Sequence, residues 1–131
     1  MRDLNTISAA ITGSDTGHLV FGTLHTNTAP SSINRIVDVF PADEHNKVRS
    51  QLSSSLRAIV AQRLFPNPKG GKTALFEIMV VNDEMREVIR LGQNEKLYPL
   101  MRKYAQEGNI IMEDQLNKAK AEGIVPDNVR W

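Results

Sequence analysis

The chain has 131 residues, no cysteine, and 16 Lys and Arg against 15 Asp and Glu, for a formal charge of +1. One domain's length without a thiol excludes disulfide scaffolds, cysteine nucleophiles and thiolate zinc sites, and the balanced charge gives no footprint for nucleic acid. An apolar fraction of 40%, with no apolar run near the roughly 18 residues a membrane span needs, predicts no membrane insertion. Asp3 and Asn5 interrupt what a signal peptide would place after Arg2, so a cytoplasmic location is expected.

In chain order, Leu4, Ile7 and Ile11 predict a short helix over 3–13 that ends near Gly13, with a turn at residues 14–17. Leu19 to Leu24 is apolar on both parities and predicts a strand buried on both faces. Ser31 and Ser32 are candidate caps for a helix carrying Ile33, Ile36, Val37 and Phe40, stopped by Pro41. Asp43 is the candidate cap of a longer helix with Val48, Leu52, Leu56, Ile59, Val60 and Leu64 on one face. Turn chemistry at 66–72 and strand chemistry at 73–81 predict a hairpin. Asn82 then caps Asp83 to Leu91, with Met85, Val88 and Ile89 inward and Gly92 at the left-handed closing position. Two more helices carry Leu97, Leu100, Met101 and Tyr104, then Leu116 and Ala119, and end at Gly108 and Gly123. The tail 125–131 reads as loosely held.

Three constellations invite a chemical reading. Gly71-Lys72-Thr73 matches the end of a phosphate-binding loop, but Pro66 stands where its first glycine belongs and Thr73 opens a strand rather than a helix. His18 and His25 flank the predicted strand. Their odd separation sends them to opposite faces about 20 Å apart, which excludes a shared metal and a metal-hydrolase reading. Each has an ordinary reading, His18 satisfied in a turn and His25 at a polar strand end. The carboxyl end of a buried strand is also where open α/β sheets bind ligands, and His25 falls there. No serine has a nucleophile elbow around it.

Met1 to Ile7, the string Gly17-His18-Leu19-Val20-Phe21-Gly22-Thr23-Leu24-His25-Thr26-Asn27, Ile36 to Pro41, Ser55 to Leu64, and Met85 to Arg90 occur in the order found in motor ATPases of the type II and type IV secretion superfamily. The chain resembles their C-terminal part, pilus-retraction motors most of all, and the second string resembles the family's His box. The fold the resemblance implies is α/β: residues 1–81 as part of a RecA-like P-loop core, with His-box strand, helices and hairpin, and 82–131 as a C-terminal helical bundle. The function it implies is a portion of a hexameric ATPase that drives type IV pilus retraction, twitching motility or related secretion. The partners it implies are other motor subunits and the inner-membrane platform of a pilus or secretion system.

By the same resemblance, His25 is the phosphate-sensing candidate with His18 its partner, and Arg2, Asp3 and Thr26 lie near the nucleotide or a neighbouring subunit. Arg86, Ile89 and Arg90 fall on the motor-specific helix, where Glu84 and Met85 replace the family's alanine and first isoleucine. The alternative for that segment is an amphipathic helix with Arg86 and Arg90 in solvent. ATP and magnesium belong to the complete family protein. Walker A, the acidic box and the Walker B glutamate lie upstream in the family, so neither ligand is expected on this chain alone. A second class of function is a non-catalytic module that joins or caps full-length hexamers. A sheet edge left bare by a missing strand predicts self-association.

Overall fold

The computed structural model describes residues 3–130. Helix α1 (Leu4–Asp15) starts at Asp3, whose carboxylate accepts the Thr6 N–H at 2.8 Å and is held below the usual carboxylate range chiefly by that bond. It runs two residues past Gly13, and its end is closed by the Thr16 hydroxyl on the carbonyls of Thr12 and Gly13. Helix α2 (Ala29–Asp38) starts earlier than expected because Thr28, rather than Ser31 or Ser32, is its cap. Thr28 Oγ1 accepts from the Ser31 amide, Ser31 Oγ accepts from the Thr28 amide, and Pro30 occupies the first turn, where no amide donor is needed.

The long helix expected as far as Leu64 divides. After a short 3-10 turn at Ala42–Glu44, helix α3 (His45–Ser55) ends at Leu56, and Ile59, Val60 and Leu64 lie instead on strand β1 (Ala58–Pro66). The hydroxyls of Ser53, Ser54 and Ser55 bond back to the carbonyls of Ser50 and Gln51, a local alternative that weakens the helix where it stops. Arg86 completes the stop: its Nη1 donates to Ser53 O at 2.7 Å and Leu56 O at 3.1 Å, which caps carbonyls that have no partner within the helix.

Strand β1 pairs antiparallel with β2 (Lys72–Val80) from Ala58↔Val80 to Pro66↔Lys72. Gly70 and Gly71 make the turn at positive φ, and Asn67 Oδ1 accepts the Lys69 amide. Beyond β2, Ile78 and Ile110 exchange two backbone bonds of 2.8 Å, and Asn109 Oδ1 accepts the Val80 amide. That edge of the hairpin is therefore covered.

The buried strand expected at Leu19 to Leu24 does not form. Residues 18–26 belong to no helix or sheet, and Leu19 and Phe21 are 78% and 89% exposed. Strand geometry needs a neighbour's ladder, and among the described residues none lies alongside. Within the segment, Leu24 packs on the main core.

Helix α4 (Asp83–Leu91) follows its sequence signals in full: Asn82 Oδ1 accepts the Met85 amide, Met85 and Ile89 are wholly buried, and Gly92 closes it at φ 72°. Helices α5 (Leu97–Lys103) and α6 (Met112–Ala121) end at Gly108, by way of a 3-10 turn, and close to Gly123. The tail is anchored rather than loose. Gly123 turns the chain back so that the Ile124 amide reaches Ala119 O, and Val125 buries with Phe65, Leu75 and Leu116. A larger core unites α1 to α5 with Met79 and Ile111.

At the centre, Glu77 of β2 is wholly buried. Its Oε2 accepts the Ala29 amide at 2.7 Å and the Tyr98 hydroxyl at 3.0 Å, and its Oε1 accepts the Met112 amide at 3.1 Å. Burial, and then the charge of Glu77, push the Tyr98 phenol well above the tyrosine value of 10.0. The folded state therefore holds this proton at a pH where the unfolded chain has released it. Stability is full below pH 10 and declines as pH rises beyond it. Denaturant titrations at pH 9 and 11 should show a smaller loss in Tyr98→Phe than in the parent. Arg86→Ala should cost about 1–2 kcal/mol in the same assay, because two carbonyls at the end of α3 lose a charged donor. Arg90→Ala, which removes only an exposed pair with Glu87, should stay within about 0.5 kcal/mol.

Candidate functional site

An open trough of about 1070 Å³ runs between residues 17–27 and β1, walled by α1 and the end of α3. His18 and His25 both line it, with the apolar Leu19 and Phe21 between them and Ile59 and Gln62 opposite. The two histidines stand at opposite ends of the segment that lines the trough. Among the described residues, no three of His, Asp and Glu gather as a metal would require.

Each histidine is set by its own end of the segment. His18 follows the positive-φ Gly17, and its Nδ1 lies 3.3 Å from Gly13 O and 3.2 Å from Thr16 Oγ1, so the α1 turn holds it. His25 is exposed at the approach to α2. The residues after it are firmly tied: Thr26 Oγ1 and Ser32 Oγ are 2.5 Å apart, Thr28 caps α2, and the Ala29 amide ends on Glu77. Val20, in the middle of the segment, is 38% exposed, so it does not carry the wholly buried environment its position predicted.

The remaining sequence candidates are dispersed. Arg2 lies outside the described residues. Asp3 spends its carboxylate on the cap of α1. Lys72 and Thr73 sit in the hairpin, paired across from Pro66 and Phe65, and no helix N-terminus follows them to receive a phosphate. On α4 the two arginines part company. Arg86 turns inward onto the end of α3, unlike the alternative reading that had both arginines in solvent, whereas Arg90 stays outside with Glu87. Ile89 is core. The unusual Glu84 has a structural use: it accepts from Tyr104 Oη and Lys103 Nζ at the end of α5, and these bonds lower its carboxyl and raise both partners.

Glu77 was not singled out from the sequence, yet a signal was present. It is the lone charge in Leu75-Phe76-Glu77-Ile78-Met79, on the inward parity of a strand, where a carboxylate persists only with dedicated donors. Tyr98 and Asn109 carried no comparable mark.

Residues 1–129 match the family described as type II/IV secretion system protein. The chain is 42% identical over 125 residues to a type IV pilus retraction ATPase, PilT, of Pseudomonas aeruginosa, covering 95% of this chain and 36% of that protein. It is 40% identical over 126 residues to a twitching motility protein of Neisseria gonorrhoeae, covering 95% and 34%. The crystal structure of a pilus retraction motor PilT with bound ADP superposes with a TM-score of 0.86 at 40% identity, over 97% of this chain and 35% of that one. The ATPase DotB of Legionella pneumophila superposes with a TM-score of 0.81 at 28% identity, over 98% and 35%. The chain thus spans about a third of the length of the curated relatives it matches. With the match running from the first residue almost to the last, and a mixed α/β structure that follows a retraction motor throughout, the chain belongs to the type II/IV secretion system protein family.

Proposed function

We propose that this chain is the C-terminal portion of a hexameric motor ATPase that drives type IV pilus retraction or related secretion. Residues 1–81 would be part of its RecA-like core and 82–131 its helical subdomain. The observation that carries this reading is the placement of His25 and Thr26: they line a broad trough and precede a helix tied down by Thr28 and Glu77. A histidine held there exchanges hydrogen bonds as a phosphate comes and goes, and so reports hydrolysis to the helices behind it. In this reading the chain's own residues do not cradle a triphosphate, because its Gly71-Lys72-Thr73 string closes the hairpin and opens β2. Nucleotide and magnesium would be held by segments that the longer relatives have. In this reading the motor works on the cytoplasmic side of the membrane, against the platform of its pilus or secretion system, with other motor subunits as neighbours. His18, engaged by the α1 turn, braces the far end of the trough, and Asp3 lies towards the nucleotide or the next subunit.

The exposed apolar pair Leu19 and Phe21 favours a second reading, a non-catalytic module that joins full-length hexamers. Sedimentation tests the face itself: concentration-dependent association is expected, and a monomer at all concentrations would count against it.

Two experiments address the first reading. Calorimetry of the chain with millimolar Mg-ATP should show no saturable heat, because no helix N-terminus follows Lys72 to receive the phosphates. A saturable heat abolished by Lys72→Ala would restore the Gly71-Lys72-Thr73 loop as a site. Exchanging this chain for the aligned 125 residues of the Pseudomonas PilT gives a chimera whose ATP turnover His25→Ala should lower by roughly 10²–10³-fold, with melting temperature and hexamer size preserved. Unchanged turnover, or destabilisation like that of the core variant Ile33→Ala, would sink the assignment.

A further inference from the structure

Glu77 is the one charged side chain among the described residues that is fully withdrawn from solvent, and the proposed function draws only on its bond to the start of α2. Its bonds reach three separate places: Ala29 at the start of α2, Tyr98 in α5 and Met112 at the start of α6. Ala29 lies four residues from His25, and the stretch between them is held by the Thr26–Ser32 and Thr28–Ser31 hydroxyl contacts of 2.5 Å and 2.7 Å. We propose that Glu77 is a positioning residue that fixes the His25–Thr28 end of the trough relative to the C-terminal helices α5 and α6. The proposal rests on His25 facing phosphate for its functional meaning. The mechanical claim stands on the bonds themselves.

The geometry has a definite consequence. Any movement of α6 or of Tyr98 pulls on the carboxylate that holds the first amide of α2, and the segment carrying His25 follows α2. Both helix starts offer partial positive charge to the same anion, so neither can leave without exposing an unpaired buried group. A load on the C-terminal helices thereby reaches the histidine without any change in the Ile7, Ile33 and Ile89 core.

Amide hydrogen exchange and the His25 ring resonances, read by NMR on the intact chain, test this in Glu77→Met, Tyr98→Phe and Ile89→Ala. Methionine fills similar volume without a carboxylate, so Glu77→Met should speed exchange at Ala29 and Met112 together by roughly tenfold or more and shift the His25 ring signals. Tyr98→Phe loses the donor that shares Oε2 with Ala29, together with the contact of the same hydroxyl with Thr28, and should move the Ala29 amide and His25 more than Met112. Ile89→Ala weakens the core without touching the carboxylate, and should raise exchange across the core evenly while the His25 ring signals stay in place. Unmoved His25 signals in folded Glu77→Met, or equal effects of Tyr98→Phe on Ala29 and Met112, would reduce Glu77 to a core contact and overturn the proposal. Should Glu77→Met not fold, Glu77→Gln, which keeps the volume but loses one acceptor oxygen, decides by the same outcomes at His25. No nucleotide enters these readouts, so a failure here is distinct from a failure of His25→Ala to lower turnover in the chimera.

Discussion

One buried carboxylate constrains more of this structure than any other group. For Glu77 to meet α2, α5 and α6 at once, β2 must present Leu75, Glu77 and Met79 inward, which sets the parity of the strand. Strand parity in turn sets register. A slip of one residue against β1 would turn Glu77 outward and bury Phe76 and Ile78 in its place, leaving two helix starts without an acceptor. The hairpin, the entry to α2 and the docking of α6 are thus one choice. An apolar residue at this position would satisfy the core yet specify none of these relations, which is the sense in which a satisfied polar network defines a fold.

The segment beside the trough illustrates the opposite situation, strand chemistry without a sheet. Leu24 packs on the core, while Leu19 and Phe21 stand in solvent and Val20 is 38% exposed. Packing fixes the segment at one residue and leaves its other apolar side chains uncovered. A strand's other requirement is the ladder, and propensity cannot replace it. The relatives this chain matches are nearly three times longer, so the full apolarity of the segment on both parities reads naturally as a sequence written for more neighbours than these residues provide.

How far the fold was legible follows from which signals are local. Helix α4 was readable from end to end because an asparagine cap, a 3.6-residue apolar stripe and a closing glycine act within one stretch of chain. The hairpin turn was readable for the same reason, and with it the rejection of a phosphate loop at Lys72. The break between α3 and β1 was not. Val48, Leu52 and Leu56 continue smoothly in helical spacing to Ile59 and Val60, and what stops the helix includes Arg86, thirty residues away from the Leu56 carbonyl it binds. The tail was misread because the burial of Val125 depends on Phe65 and Leu75, which only the folded hairpin brings near. In the candidate site, His25 could be placed at the end of an extended segment by pattern alone. The tie from Ala29 to Glu77 spans 48 positions in sequence and has no local trace.

The two arginines of α4 show why such spacing must be read against what lies opposite. Arg86 and Arg90 are one helical turn apart and carry the same charge, so any periodicity argument treats them alike. Facing Arg86, however, is the C-terminus of α3, whose unpaired carbonyls and negative dipole end draw the guanidinium inward. Facing Arg90 is water and its own neighbour Glu87. A partner approaching this helix therefore meets Arg90 and Glu87 as an exposed pair, while Arg86, its Nη1 already bound to two carbonyls, contributes mainly by keeping α3 and α4 in place. The motif resemblance on this helix thus divides into a residue that builds the surface and a residue that presents it.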